Sequence, residues 1–358
     1  MEISKLEEHL RTLISLEETE SPVVSFYIDR RDIDAINAIR EQIVVARKAL
    51  TPETTDAFDR AVERIVRHVR SDAAKGFRSL AVFARDGSRP FFLALGFDAT
   101  LPNRFFVDST PVIFHLVELK DNFHRFVLMI STEESARILE VSLGAVTREL
   151  WTRRPELRKR VGREWTKRHY QNHRRDRNNR FIKEKIALLE QIARSGGHTH
   201  IILAGSPHLV ARVRQALPPR LADLVLDIVP ATARDRMTDV VESTLSAFLA
   251  QEESESQELA ERLQQEILRD GLAVAGYEAS KDALESGQAD TLLLVSDDDP
   301  ARSSRREELI RLAHKTAVDI EVVEVSDFLS EVEGVGCLLR YQTPRVRSGR
   351  LDAKARVT

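Results

Sequence analysis

HIILAGSPHLVARVRQALPPRLADLVLDIV, residues 200–229, is the stretch on which the fold turns. Residues 200–205 are a short apolar run closed by Gly205, which reads as a buried strand. Ser206-Pro207 then starts a helix that runs to Ala216, with a capping residue followed by proline in the first turn. LVLDIV, 224–229, returns as a second strand and closes the sheet. Strand, helix and strand in thirty residues read as the core of an α/β domain.

Upstream, a long helix ends near Ser195 at the Gly196-Gly197 stop. Ile182, Ile186, Leu189 and Ala193 make one apolar stripe on it, with Phe181, Leu188 and Ile192 alongside. The half before Phe181 has no such stripe and is expected to project from the domain. Before it, the strands Phe126–Ile130 and Ala136–Leu143 flank a polar STEES turn, and a third strand runs through Trp151. These pieces form a middle domain, residues 123–231.

Between the meander and the apolar stripe lies Arg153–Lys185, RRPELRKRVGREWTKRHYQNHRRDRNNRFIKEK, with fourteen Lys and Arg against four Asp and Glu. The whole chain carries −3, so the rest is strongly acidic. An excess this one-sided exceeds what i,i+4 pairing along a solvated helix can neutralise, and it is the footprint of a polyanion contact. Aromatic and amide side chains are interleaved with the basic ones, a mixture suited to stacking on and hydrogen bonding with folded RNA. The candidate RNA-binding residues are Arg158, Lys159, Arg160, Arg163, Trp165, Lys167, Arg168, His169, Tyr170, Gln171, His173, Arg174, Arg175 and Arg177.

Outside the middle domain the α/β pattern continues. Residues 1–122 read as a helix over 1–20, the strand SPVVSFYID, and helices at 32–49 and 53–70. Strands follow at Ser79–Arg85, Pro90–Gly96 and Val112–Leu119. Residues 232–358 begin with a helical pattern from Arg234 to Arg269, interrupted by the polar QEESESQ at 251–257. A strand–helix–strand–helix–strand order follows: AVAGY, ASKDALESG, DTLLLVS, RREELIRLAHKTA and DIEVVEV. The last eighteen residues read as a basic tail.

With 358 residues, 42% apolar and 31% charged, the chain has room for two or three domains and reads as soluble and globular. No apolar run approaches the ~20 residues of a membrane span, and MEISKLEEHL lacks the pattern of a signal peptide. The cytoplasm is expected. The single Cys337 excludes an intramolecular disulfide and a Cys-based zinc cluster; its apolar strand makes it a small buried residue.

Three segments resemble the archaeal and eukaryotic class-1 peptide chain release factors and their relative Pelota. ASKDALESGQADTLLLVSDD is similar to the family's helix ending in glycine before a buried strand. EGVGCLLRY, 333–341, is similar to its closing strand, and residues 200–229 to its strand–Ala-Gly–helix–strand unit, with the basic helix preceding at the expected distance. SPVVSFYID resembles the bacterial branch of that family. The resemblance implies a three-domain α/β architecture of mixed sheets with helices. It implies an N-terminal domain facing the decoding site and a middle domain reaching rRNA of the large ribosomal subunit. The C-terminal domain would carry the surface used by a translational GTPase such as elongation factor Tu. The expected function is occupation of the ribosomal A site independently of stop codons, in hibernation or in rescue of stalled ribosomes. No cofactor is expected, and off the ribosome a monomer is expected.

The departures bear on chemistry. Family members that cleave peptidyl-tRNA carry Gly-Gly-Gln in a loop before the basic helix. Here Gly162-Arg163-Glu164 takes that place: glutamate cannot donate as an amide does, and arginine restricts a backbone that glycine left free. A stop-codon-reading motif is absent between residues 30 and 120. A binding factor is therefore expected; the alternative is a peptidyl-tRNA hydrolase in which Glu164 or Gln171 replaces the missing glutamine. His169 and His173, i,i+4 on a helix, lack a third metal ligand. Asp297-Asp298-Asp299 reads as a turn before a helix rather than a magnesium site. Gly205-Ser206-Pro207 is at best a weak anion site. The expected metal set is empty.

Overall fold

The computed structural model describes residues 3–32, 35–123, 125–143, 145–153, 167–194, 198, 200–232, 235–297 and 299–341. The apolar runs seen in the sequence become three mixed or antiparallel sheets among those residues, with helices packed against them. The chain divides into two units, Met1–Glu255 and Ser256–Thr358.

The first unit opens with α1 (Ile3–Ile14), β1 (Val23–Asp29), α2 (Ala35–Ala49) and α3 (Pro52–Val69). Then come β2 (Ser79–Arg85), β3 (Phe91–Phe97), β4 (Arg104–Asp108) and α4 (Phe114–Asn122). The sheet order is β3-β2-β1-β4, antiparallel throughout. Phe58, Ala61 and Ile65 of α3 lie against Val24, Phe26, Leu80 and Val82 of the sheet, a helix stripe on an alternating strand face.

Val112–Leu119, expected as a strand, is instead the entry and body of the helix α4. Two side chains of β1 fix that entry: Tyr27 donates its hydroxyl to the Val112 carbonyl at 2.6 Å, and the Val112 amide donates to Ser25 Oγ at 2.9 Å. The place beside β1 belongs to β4, which sequence reading passed over.

The unit continues with β5 (Phe126–Ser131), β6 (Ser135–Ser142), β7 (Ala145–Arg153), α5 (Lys167–Ala193), β8 (His200–Gly205), α6 (Pro207–Ala216), α7 (Pro219–Ala222) and β9 (Val225–Pro230). The second sheet has the order β7-β6-β5-β8-β9; β5-β6-β7 is an antiparallel meander, while β5-β8 and β8-β9 are parallel. One face packs Val127, Met129, Ile201 and Leu203 against Ile182, Ile186 and Leu189 of α5 and Val210 and Val213 of α6. The other packs Phe126, Leu128, Ile202 and Ala204 against Val240 and Phe248 of α8 (Met237–Leu268). Coverage of both faces is why FVLMIS and HIILAG read as continuous apolar runs rather than alternations.

The polar stretch 251–257 does not interrupt α8, which is helical throughout. The unit division at Glu255 falls inside this helix.

In the second unit, β10 (Ala273–Ala275), α9 (Tyr277–Glu285), β11 (Ala289–Val295), α10 (Pro300–Thr316), β12 (Asp319–Val323), α11 (Asp327–Glu331) and β13 (Val335–Leu339) follow the expected alternation. Their sheet has the order β10-β13-β11-β12. Gly287 ends α9 at φ +70, with its amide on Leu284 O and that of Gln288 on Ala283 O; only a residue without a Cβ takes this turn freely. Cys337 is fully buried in β13, and burial pushes its thiol up to about 12, so it is no nucleophile.

Gly336, in the same strand, leaves no room for a side chain. A Cβ there would stand 2.6 Å from Leu263 Cδ2 and 3.0 Å from the Val274 carbonyl. Gly336→Val is expected to cost the second unit about 1–3 kcal/mol or more by overpacking. A melting curve with two resolved transitions, only one of them shifted down, is the expected result; an unshifted curve would contradict this packing.

Among the described residues no helix is long and apolar enough to cross a membrane.

Candidate nucleic-acid interface

The basic stretch is carried by α5, whose 27 residues make a helix about 40 Å long. Its last four turns hold the apolar residues, and Phe181, Ile182, Ile186, Leu189 and Ile192 are all buried against the second sheet. The helix is thus anchored through one half, and the other half carries most of the charge.

The anchor contains a cation. Lys185 belongs to the basic stretch by composition, yet it is fully buried. Its Nζ donates to Ser131 Oγ at 2.8 Å and to the Thr132 carbonyl at 2.6 Å, and lies 4.4 Å from the centre of the Phe181 ring. It thereby ties α5 to the carboxyl end of β5. A second tie runs to α6, where Arg212 donates to Asn179 Oδ1 at 3.1 Å.

At the carboxyl ends of β5 and β8, beside the first turn of α6, a cleft of about 240 Å³ is lined by Asn178, Phe181, Lys185, Ser206, His208 and Arg212, with Glu133 at its side. Ser206 takes the N-cap position of α6 in an extended conformation, with Pro207 in the first turn. Clefts outside the carboxyl ends of parallel strands are where α/β sheets present helix amides to ligands. The described lining offers hydrogen bonding and positive charge but no activated nucleophile.

Of the sequence-predicted RNA-binding residues, Lys167, Arg168, His169, Tyr170, Gln171, His173, Arg174, Arg175 and Arg177 fall on the first three turns of α5; their side chains lie outside the described residues. Arg158, Lys159, Arg160, Arg163 and Trp165 also lie outside them, as do the candidate Glu164 and the Gly196-Gly197 stop. Gln171, the other catalytic candidate, is in the second turn of a helix. Asp297 does not offer itself to a metal: its carboxylate receives Arg302 at 2.7 Å and Arg306 at 3.4 Å. Sequence reading missed Lys185 as an anchor, because a lysine at a core position of a basic run looks like one more surface charge. Its i+4 spacing from Phe181 was the available signal.

Comparison with known proteins bears on this same region. Residues 111–249 match the model of bacterial archaeo-eukaryotic release factor family 10. The Pelota homolog of Methanothrix thermoacetophila is 30% identical over 175 residues, covering 46% of this chain and 49% of its own; the chain spans about half the length of that relative. Among solved structures, ribosome-bound archaeal Pelota with ABCE1 is similar at 17% identity and a TM-score of 0.45, over 74% of this chain and 78% of that one. Saccharomyces cerevisiae Dom34, a translation termination-like factor, is similar at 12% identity and a TM-score of 0.44, over 75% and 81%. Residues 111–249, over which the chain is similar to that release-factor family, hold the basic helix and the second sheet entire.

Proposed function

We propose that this protein is a ribosome-binding translation factor that occupies the A site without reading a stop codon, in hibernation or in rescue of stalled ribosomes. One coincidence carries the reading: the segment matched by the release-factor family is the segment that bears the basic stretch, on a helix anchored by its other half. A relative, archaeal Pelota, has been described bound to the ribosome. The proposed division of labour is residues 1–122 toward the decoding site, 123–231 toward rRNA of the large subunit, and 232–358 toward a translational GTPase. For elongation factor Tu in that role, sequence resemblance is the sole support. The RNA contacts proposed are the basic and aromatic residues from Arg158 to Arg177.

The protein is expected to co-sediment with ribosomes whose A site is empty and to release no peptide from labelled peptidyl-tRNA held in the P site. Glu164→Gln is expected to leave that null unchanged, since one amide does not restore the missing glycine. Peptide release well above background, abolished by Glu164→Ala or Gln171→Ala, would establish the hydrolase instead. Failure to co-sediment would reject both.

A further inference from the structure

At the amino end of β8, opposite the cleft, His200 faces two carboxylates of α8. Its Nδ1 lies 3.6 Å from Glu252 Oε1 and its Nε2 3.6 Å from Glu255 Oε1. One ligand atom from each of the three residues falls within 4.8 Å of the other two. His200 and Glu252 are mostly withdrawn from water, with 17% and 11% of their side chains exposed. Glu252 and Glu255 are three apart on a helix and so share one face.

The cluster has supports of its own. The His200 ring packs edge-on against Phe248 at 5.7 Å, and Phe248 stacks on Phe126 at 4.7 Å, so the imidazole is aimed by the core. Gln251 donates its amide to Glu255 Oε1 at 2.8 Å and orients that carboxylate from behind. Metal ligands are held by outer hydrogen bonds of this kind. One imidazole and two carboxylates thus converge in a half-buried place, a nitrogen and oxygen donor set within reach of a single ion.

We propose that His200, Glu252 and Glu255 bind a divalent first-row transition-metal ion of the zinc class. One imidazole nitrogen and two carboxylate oxygens suit such an ion better than magnesium or calcium, which take oxygen alone. Ligands at about 2.0–2.2 Å from a tetrahedral ion stand roughly 3.3 Å apart, so the carboxylates must draw in by rotation about their own side-chain bonds. Three protein ligands leave a fourth position for water. The ion would pin the first half of α8 to β8, and neither the A-site reading nor the basic helix is needed for it.

The test uses the full chain stripped with a chelator, then titrated with Zn²⁺ by calorimetry and with Co²⁺ by visible absorption. One site per chain of micromolar affinity or tighter is expected, with the Co²⁺ bands of a tetrahedral N/O site and a melting temperature raised by Zn²⁺. Glu252→Gln with Glu255→Gln, nearly isosteric changes, should abolish all three signals. Gln251→Leu removes no ligand and should weaken binding by about 10–100-fold; this variant keeps the test decisive if the double variant fails to fold. No stoichiometric binding by wild type would overturn the proposal and leave His200 set between two glutamates with no ion. So would binding that survives the double variant and is lost in His169→Ala with His173→Ala.

Discussion

Replacing Arg174, Arg175 and Arg177 together by alanine is expected to lower ribosome affinity on the order of 100-fold at 0.1 M salt. The same change should flatten the slope of log affinity against log salt by about 2–3 units, and the deficit should vanish toward 1 M salt. The argument is counterion release: each phosphate neutralised by an arginine sets free a condensed cation, and three lost contacts remove that many terms from the exponent. The fold should be indifferent, because the apolar stripe that seats α5 begins at Phe181, four residues beyond the last of these positions. Sedimentation or filter binding across a salt series reads the result. A reduced affinity with an unchanged slope would mean that these arginines do not lie on RNA phosphates.

Lys185→Met should give the converse pattern. The change removes two hydrogen bonds from a charged donor and leaves the buried Ser131 hydroxyl and the half-buried Thr132 carbonyl without it. Losing such bonds costs about 1.5–3 kcal/mol each, partly offset because an ammonium need no longer be desolvated. A net loss of about 2–3 kcal/mol is expected, which for a unit of this size lowers the melting temperature by roughly 4–12 °C. Ribosome affinity would fall with the loosened anchor while the salt slope stays at the wild-type value. A melting temperature that does not move would refute the buried placement of this lysine.

The parts of the fold legible in the sequence were those where side-chain period and punctuation agree. HIILAG, LVLDIV and DTLLLVS are short apolar runs bounded by turn residues, and each is a strand. The stripe Ile182, Ile186, Leu189 was read correctly because a 3.6-residue period has no competing explanation. Val112–Leu119 failed for lack of any period: eight mostly apolar residues fit a buried strand or a buried helix equally well, and contacts from Tyr27 and Ser25 decided it. Helix α8 was broken in sequence reading at 251–257 for its polarity. Val240 and Phe248 belong to the core of the first unit and Ala260 and Leu263 to that of the second, so the polar residues between them lie where one helix passes from one core to another. The cluster of His200 with Glu252 and Glu255 was invisible for a related reason, since about fifty residues separate its members and only the pairing of β8 with α8 brings them together.

The order of the second sheet also bears on how the chain is made. β5 finds β6 at once through a tight turn, but its other edge waits for β8, because Phe126 pairs with His200. At about 5–20 residues per second, a nascent chain leaves FVLMIS with one open edge for roughly 4–15 s. An exposed apolar edge is a template for aggregation. What is synthesised in that interval is the most cationic segment of the protein, with fourteen Lys and Arg against four Asp and Glu. Mutual repulsion among growing chains then guards the unpaired strand until its partner arrives, so the charge that marks this protein would serve its birth as well as its binding.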